Sequence, residues 1–518
     1  MDSFQGCTTL AGLAPLHARE RPTSVALRFG DRTTTYAELD AHSNQVARAL
    51  AAQGLRQGDR VAYLGKNSDH YFELMFGCAK ANMIFVPVNW RLAGPELSGI
   101  LGDADPRILF AGPGFEAAAA ALDIPGLVAR LPMAGATGYA AWRDAQSADP
   151  VNTPVDPADT ALILYTSGTT GLPKGVELTH ANMIALLASY TGSGVTGMGP
   201  GERCIVCLPP YHVAGTGVGL MGLATGSSIT VLEEVNVAQI IETIVRDRIS
   251  SLLLVPAVIL MVTQHCEANP VDLSSVRNLA YGASPIAEDV LTRAMRVFAN
   301  ARFCQVYGST EGSAIATFLP PADHDPARGK LRSCGKVHAG TELRIADADG
   351  TAVPTGQVGE IVLRGPGVMK GYWRNPDATR ATFFPDGWMR TGDAAYLDAE
   401  GFVYIYDRVK DMIVSGAENV YPAEVENAIF GHPAVADVAV IGVPDPRWGE
   451  AVKAIVVPKA GMAPNAEEII GYARERIAGY KLPKSVDFVD ALPRNPTGKV
   501  LRRELREPYW RGQTRQVG

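Results

Sequence analysis

Apolar and polar positions repeat with two different periods along the first 330 residues. Residues 35–55, TYAELDAHSNQVARALAAQGL, repeat apolar side chains at helical spacing, and RVAYLG after them has the length of a strand. From residue 160, short apolar runs alternate with helical patterns such as VAQIIETIVRD and AEDVLTRAMRVF; the runs cover 160–165, 203–208, 227–232, 251–255, 276–281 and 302–307. This βαβα order predicts an α/β fold with largely parallel, doubly wound sheets.

The pattern changes near residue 340, where short strands and turns predict a β-rich subdomain. After YIYDRVKD (404–411) a small α+β unit follows, with the helices PAEVENAIF and AEEIIGYARERI and the strands VADVAVIGV and EAVKAIVV. Single cores stop growing at about 250–300 residues, so a chain of 518 residues needs at least two domains. We expect a large domain over residues 1–407 and a small C-terminal one over 408–518. Residues 111–158, rich in Ala, Pro and Gly, give no clear pattern.

Composition narrows the classes of partner. The net charge of −7 argues against nucleic acid, and the seven scattered cysteines are typical of a reducing cytosol. Cys204 and Cys207 are three apart in a predicted strand and face opposite sides, which disfavours a metal site. The longest apolar run, from Leu252, is shorter than the ~20 residues that a membrane span needs. We therefore expect a cytoplasmic protein without a transmembrane segment, and a homodimer is compatible with this sequence.

Polar or small residues follow four of the predicted strands directly. They form the stretches YTSGTTGLPKG (165–175), PPYHVAG (209–215), YGASP (281–285) and YGSTEG (307–312). Because ligands of doubly wound sheets bind beyond the carboxyl ends of the strands, we expect these stretches to share one ligand site.

The first stretch has the chemistry of a phosphate-binding loop. Its glycines let backbone N–H groups approach a ligand, its hydroxyls add donors, and Lys174 adds a cation. It is not the GxxxxGK[ST] loop, because Gly175 follows Lys174 and strands flank it on both sides. A flexible surface turn is the alternative reading. GVGLMG (217–222) matches GxGxxG, but with no strand before it we interpret it as close helix packing.

Six stretches in a fixed order resemble the adenylate-forming superfamily of acyl- and aryl-CoA synthetases, luciferases and peptide-synthetase adenylation domains. They are YTSGTTGLPKG, YHVAG, YGSTE, TGD, DRVKDMIVSGAENVYPAEVE and PRNPTGKVLRREL, and they span nearly the whole chain. The chain is most similar to the fatty acyl-CoA synthetases. The resemblance implies a ligase that joins a carboxylic acid to AMP with release of pyrophosphate, then transfers the acyl group to coenzyme A, with ATP and Mg²⁺ as cofactors.

The resemblance also implies roles for individual residues. The β- and γ-phosphates would be embraced by Thr166, Ser167, Gly168, Thr169, Thr170, Gly171 and Lys174. Thr310 would donate to the α-phosphate, and Glu311 would bind Mg²⁺, which prefers oxygen ligands. The remaining nucleotide contacts would come from Ala283, Ser284 and Pro285 at the adenine, from Tyr307 and Gly308 in the same turn as Thr310, and from Asp393 and Arg408 at the ribose.

Lys499 would be catalytic, countering charge that develops between the acid carboxylate and the α-phosphate. His212 is either a structural histidine or a gate beside the acyl carboxylate. Lys410 would be the hinge about which the small domain rotates between the two half-reactions. Gly416 and Ala417 would line the coenzyme A tunnel, where the superfamily often has two glycines, and alanine narrows it and disfavours positive φ.

We predict the type of carboxylic acid from residues 211–219, 281–285 and 306–318, which would line its pocket. They contain no Lys or Arg, so dicarboxylates and amino acids are disfavoured. Gly215, Gly217 and Gly219 are expected to leave room for a chain or ring. We favour a medium- or long-chain fatty acid. An aryl or arylpropenoic acid, an acyl-AMP ligase that loads a carrier protein, a luciferase-type oxidase and a ligand-sensing relative are the alternatives; the last would typically lack Lys499, Glu311 or Asp393.

Overall fold

The computed structural model describes Phe4 and residues 6–166, 173–192, 197–284, 286–408, 411–415, 418–445, 448–494 and 500–511. Its helices are α1 (Leu13–Glu20), α2 (Tyr36–Ala52), α3 (Asp69–Lys80), α4 (Gly94–Ala104), α5 (Glu116–Ala121), α6 (Tyr139–Asp144), α7 (His180–Gly192), α8 (Val213–Thr225), α9 (Val237–Asp247), α10 (Pro256–Ala268), α11 (Glu288–Val297), α12 (Pro376–Thr382), α13 (Pro422–Phe430), α14 (Ala466–Arg474) and α15 (Arg502–Trp510).

The strands of the same residues are β1 (Val25–Phe29), β2 (Arg32–Thr35), β3 (Arg60–Leu64), β4 (Ile84–Val88), β5 (Ile108–Ala111), β6 (Ala129–Pro132), β7 (Thr160–Thr166), β8 (Lys174–Thr179), β9 (Arg203–Val206), β10 (Ser228–Val231), β11 (Ser251–Leu254), β12 (Asn278–Gly282), β13 (Arg302–Tyr307), β14 (Thr317–Leu319), β15 (Lys336–Val337), β16 (Glu342–Ala346), β17 (Gly359–Arg364), β18 (Gly371–Tyr372), β19 (Met389–Leu397), β20 (Val403–Arg408), β21 (Ile413–Ser415), β22 (Glu418–Val420), β23 (Val435–Asp445), β24 (Gly449–Pro458) and β25 (Ser485–Phe488).

Two large sheets, rather than one, make up the body of the chain. The first has nine strands in the order β15-β14-β13-β12-β11-β9-β10-β1-β2, and its central strands pair in parallel. The second has seven strands in the order β18-β8-β7-β4-β3-β5-β6, and its pairs are parallel except for the two that β8 forms with β7 and β18. The parallel, doubly wound α/β fold predicted from the sequence is therefore confirmed, with its strands divided between two sheets.

Two smaller sheets follow. Strands β16, β17, β19 and β20 form an antiparallel sheet, which is the predicted β-rich subdomain. The C-terminal unit pairs β22, β21, β24 and β23, adds β25 in parallel to β24, and has its own apolar core. The domain limit that we expect between residues 407 and 408 lies at the end of β20, and the division itself stays a prediction.

Local sequence explains where the best-predicted helices begin. The backbone N–H of Glu38 donates to the Thr35 hydroxyl at the start of α2, and the Glu38 carboxylate accepts the backbone N–H of Thr35. Such a reciprocal cap satisfies two donors that would otherwise lack partners. Helix α9 has a single apolar stripe whose Ile240, Ile241 and Ile244 are buried against the sheet. No helix among the described residues has the length and apolar character needed to span a bilayer.

Helix α8 carries four glycines, and at three of them, Gly215, Gly219 and Gly222, neighbouring residues leave no room for a side chain. A Cβ on Gly219 would lie 2.1 Å from Cζ of Phe72, and one on Gly222 would lie 2.1 Å from Cδ1 of Ile229. The interpretation of GVGLMG as close helix packing is thus confirmed. The expectation that Gly215 and Gly219 leave room for an acyl chain is wrong, because the Pro209 carbonyl and the Phe72 ring already occupy that space.

We expect Gly219→Ala to lower the thermal unfolding midpoint, because the buried Phe72 ring blocks the new methyl group. Overpacking of this kind costs about 1–3 kcal/mol, whereas alanine gains roughly 1 kcal/mol over glycine within a helix. Gly217→Ala is the matched control, since its Cβ would meet Leu186 at an ordinary 3.6 Å. Scanning fluorimetry should give a lower midpoint for the first variant and an unchanged or higher one for the second. Equal midpoints would show that α8 can move away from Phe72.

Candidate active site

The predicted phosphate-binding loop connects two paired strands. Strands β7 and β8 are antiparallel, with Thr166 opposite Lys174 and Tyr165 opposite Gly175. The predicted strand-loop-strand arrangement is confirmed, and α7 begins only at His180. Ser167, Gly168, Thr169, Thr170 and Gly171 lie outside the described residues, so their role in binding phosphate stays a prediction.

Lys174 lies beside an aromatic residue that the sequence did not single out. Its Nζ is 5.0 Å from the centroid of the Tyr372 ring, within the range of a cation–π contact. Gly175 packs tightly behind it, because a Cβ there would lie 2.8 Å from Ile163 and 3.2 Å from Trp373. The base of the loop is thus fixed by close contacts on both strands.

The turn after β13 holds the two polar residues expected at the α-phosphate and the metal ion. Thr310 and Glu311 form a short 3₁₀ turn in which Thr310 is buried. The Glu311 carboxylate accepts a hydrogen bond from the Tyr372 hydroxyl at 3.1 Å. Backbone strain accompanies this turn, since Ser313 and Ala314 have φ values of 53° and 79°.

The donor set at Glu311 suits Mg²⁺. Among the described residues no group of three or more His, Cys, Asp or Glu side chains could hold a metal ion. Mg²⁺ is commonly bound by one or two carboxylates together with substrate phosphates, so a single glutamate that shares Tyr372 as a contact with Lys174 fits it. When bound, the ion neutralises charge on phosphoryl oxygens.

The residues expected at adenine follow the neighbouring strand. β12 and β13 are parallel with Gly282 opposite Val306, so Ala283, which follows β12, comes next to Tyr307, the last residue of β13, in the strand register. Ala283 is exposed and has a φ of 66°, a conformation that costs energy for a residue with a side chain. Ser284 is half-buried, and Pro285 lies outside the described residues.

Tyr307 connects this turn to the residues expected at the ribose. Its hydroxyl donates to the Asp393 carboxylate at 2.7 Å. Desolvation and the Asp393 charge raise the pKa of Tyr307 well above its ordinary value, so the phenol remains a donor at neutral pH. Asp393 lies directly opposite Arg408 in the backbone register of the antiparallel pair β19 and β20.

His212 has a structural role whatever else it does. It is the N-cap of α8, and its Nδ1 accepts the backbone N–H of Ala214 at 3.2 Å. The alternative role as a gate beside the acyl group stays a prediction. The proposed hinge Lys410, the tunnel residues Gly416 and Ala417, and the catalytic candidate Lys499 lie outside the described residues.

The candidate site therefore draws on several segments that are far apart in the sequence. Contacts lead from Lys174 through Tyr372 to Glu311, and Tyr307, at the end of the strand that precedes Glu311, contacts Asp393. Tyr372 was not among the residues predicted from the sequence. It lies in the stretch GYW, which has no spacing or charge pattern that would indicate a functional residue.

Comparison with known proteins agrees with this geometry. The family model "AMP-binding enzyme" matches residues 15–373, and "AMP-binding enzyme C-terminal domain" matches residues 424–499. The chain is 39% identical over 516 residues to the fatty acid–[acyl-carrier-protein] ligase ScoC of Streptomyces coeruleorubidus, covering 98% of each chain. It is 40% identical to a feruloyl-CoA synthase of an Amycolatopsis species, covering 95% of this chain and 97% of that one.

Solved structures are similar over the same length. The ATP-bound crystal structure of MatB from Rhodopseudomonas palustris superposes with a TM-score of 0.88 at 31% identity, covering 96% of this chain and 99% of MatB. The chain therefore belongs to the AMP-binding enzymes: it is an adenylate-forming acid–thiol ligase that uses ATP, Mg²⁺ and coenzyme A.

Proposed function

We propose that this ligase activates a monocarboxylic acid with an apolar body, a medium- or long-chain fatty acid, and releases acyl-CoA, AMP and pyrophosphate. The observation that carries the proposal is the absence of Lys and Arg from residues 211–219, 281–285 and 306–318, which we assign to the acid. A second carboxylate or an amine on the substrate would lack a charged partner there, and an unpaired buried charge is costly.

The structure supports an apolar surrounding for the acid. Residues Val213 and Gly215–Thr225 of α8 are buried, and Tyr211 before them is also buried. Because Phe72 and Pro209 fill the space at Gly219 and Gly215, the volume for an acyl chain has to come from the turns at 281–284 and 306–314 rather than from α8.

We assign the nucleotide to the two sets of contacts described above. The loop from Thr166 to Lys174 takes the β- and γ-phosphates, and Thr310 donates to the α-phosphate. Asp393 accepts hydrogen bonds from the ribose hydroxyls, and we assign Arg408, its partner in the strand register, to the same sugar. The Tyr307 hydroxyl supports this assignment because it fixes the Asp393 carboxylate next to the turn that carries Thr310.

Because both half-reactions use one site, the protein has to change conformation between them. We assign adenylation and thioester formation to two orientations of residues 408–518 relative to residues 1–407, with Lys410 as the hinge. Closure of this kind excludes water in one step and admits the thiol in the next.

Two other functions have specific support. An arylpropenoic acid as substrate is favoured by the 40% identity to a feruloyl-CoA synthase, and a carrier-protein thiol as acceptor by the 39% identity to ScoC. Neither rival changes the first half-reaction, so the acid and the acceptor have to be tested separately.

The deciding experiment measures pyrophosphate release with octanoate, palmitate, ferulate and malonate, each with and without coenzyme A. We expect the highest kcat/KM with a fatty acid, and coenzyme A should be converted to its thioester. A parallel series offers a holo acyl carrier protein in place of coenzyme A. Preference for malonate would overturn the charge argument, preference for ferulate would favour the aryl acid, and thioester formed only on the carrier would favour the second acceptor.

A further inference from the structure

Residues 369–373 join two parts of the candidate site that are far apart in sequence. The backbone N–H of Met369 donates to the Glu311 carbonyl at 2.8 Å, so this segment holds the turn that carries the metal candidate. The N–H groups of Lys370 and Trp373 donate to the carbonyls of Glu177 and Gly175 at 3.1 and 2.7 Å. The same five residues thus pair with the strand that begins at Lys174.

Tyr372 lies in the middle of this segment and contacts both parts with its side chain. It pairs with Val176 as part of the two-residue strand β18, and its N–H donates to the Thr379 hydroxyl at 2.9 Å. Its hydroxyl donates to Glu311 Oε1 at 3.1 Å, and its ring centroid is 5.0 Å from Lys174 Nζ. One phenol side chain therefore contacts both the carboxylate and the ammonium group.

We propose that Tyr372 is a positioning residue that orients the Glu311 carboxylate for Mg²⁺ and holds Lys174 at the phosphate loop. A carboxylate ligand is aligned by the hydrogen bond to its other lone pairs, and loss of such a partner commonly costs 10–100-fold in metal affinity or activity. The ring face attracts the lysine ammonium and limits the positions that its flexible stem can take. The inference rests on the proposed roles of Glu311 and Lys174.

Two substitutions separate the two contacts. Tyr372→Phe keeps the ring beneath Lys174 and removes the hydroxyl from Glu311, whereas Tyr372→Leu removes both. Tyr472→Phe is the control for loss of a tyrosine hydroxyl, because its hydroxyl bonds the Gly431 carbonyl in the C-terminal unit. Binding is measured on the full-length protein with Mn²⁺ as the probe, by electron paramagnetic resonance in the presence of ATP. ATP binding in EDTA is measured by calorimetry.

For Tyr372→Phe we expect Mn²⁺ binding in the ATP complex to weaken by about 10-fold or more, with metal-free ATP binding unchanged. For Tyr372→Leu we expect the same loss for Mn²⁺ and, in addition, about two- to five-fold weaker ATP binding in EDTA, on the scale of one exposed cation–π contact. Tyr472→Phe should match the unaltered protein in both measurements.

Glu311→Gln distinguishes failure of this inference from failure of the proposed metal site. If Glu311→Gln weakens Mn²⁺ binding and Tyr372→Phe does not, the inference about Tyr372 is overturned and the metal site stands. If Glu311→Gln leaves Mn²⁺ binding unchanged, both are overturned. Equal losses in metal-free ATP binding for Phe and Leu at residue 372 would also overturn it, because they would indicate a general disturbance of the site.

Discussion

Lys499→Ala is expected to slow acyl-adenylate formation by about 10²–10³-fold, the scale on which enzymes lose rate when one preorganised donor to developing charge is removed. Residues on both sides of Lys499 are held in place: Arg494 and Val500 form an isolated antiparallel bridge, and Arg494 pairs with Asp437 at 2.6 Å. After Val500, α15 is fixed by Arg502, which pairs with Glu426 at 2.8 Å.

The measurement is exchange of labelled pyrophosphate into ATP with the best acid of the panel. Conversion of synthetic acyl-adenylate to acyl-CoA should be retained, because that step does not need charge at the α-phosphate to be countered in the same way. Lys459→Ala, at an exposed lysine next to the end of β24, is the control and should exchange normally. Normal exchange by the Lys499 variant would contradict the assignment.

The fold was predictable wherever local pattern and tertiary packing agree. Residues 237–247 have an apolar stripe at helical spacing and form α9 as predicted, and the apolar run at 302–307 forms β13. Which sheet a strand joins was not predictable. The runs at 160–165 and 251–255 are both mostly apolar, yet β7 pairs with β4 and β8 in the second sheet whereas β11 belongs to the first, because pairing depends on distant residues.

Two regions were not predicted because their own sequences specify little. Residues 111–158 lack apolar periodicity, yet they contain α5, β6 and α6, and the buried Arg143 of α6 pairs with Glu73 of α3 at 2.7 Å. The basic tail after residue 500 forms α15 despite Pro508 within it. Arg506 there pairs with Asp411 at 2.9 Å, so long-range ion pairs fix a segment that has no buried residue of its own.

At the candidate site, the types of functional residue could be predicted from the sequence, but the contacts between them could not. The stretches after β7, β12 and β13 were identified because glycine, hydroxyl and carboxylate groups directly follow apolar strands. Tyr372 contacts Lys174 and Glu311, which are 198 and 61 residues away along the chain, so no local signal could connect them. The glycines of α8 led to a wrong expectation about space for the acyl chain for the same reason. The space beside Gly219 is filled by Phe72 of α3, a helix far earlier in the chain.

Lys410→Pro is the second substitution with a large expected effect, and it separates the two half-reactions in the opposite direction. Proline fixes φ near about −65° and removes the backbone N–H, so rotation about this residue is blocked. We expect pyrophosphate exchange to continue with little change while transfer to coenzyme A is lost. The reason is that, in the mechanism we propose, adenylation needs one orientation of residues 408–518, whereas the full reaction needs two.

The expected result is detected as acyl-adenylate that accumulates on the enzyme in a single turnover and is not consumed when coenzyme A is added. Lys410→Ala is the matched control, because it removes the charge but leaves the backbone free to rotate, and it should complete both steps. Equal loss of both half-reactions in the proline variant would contradict a hinge at this residue. Thioester formation at the normal rate would contradict it as well, since the thiol would then reach the adenylate without any change in the backbone at residue 410.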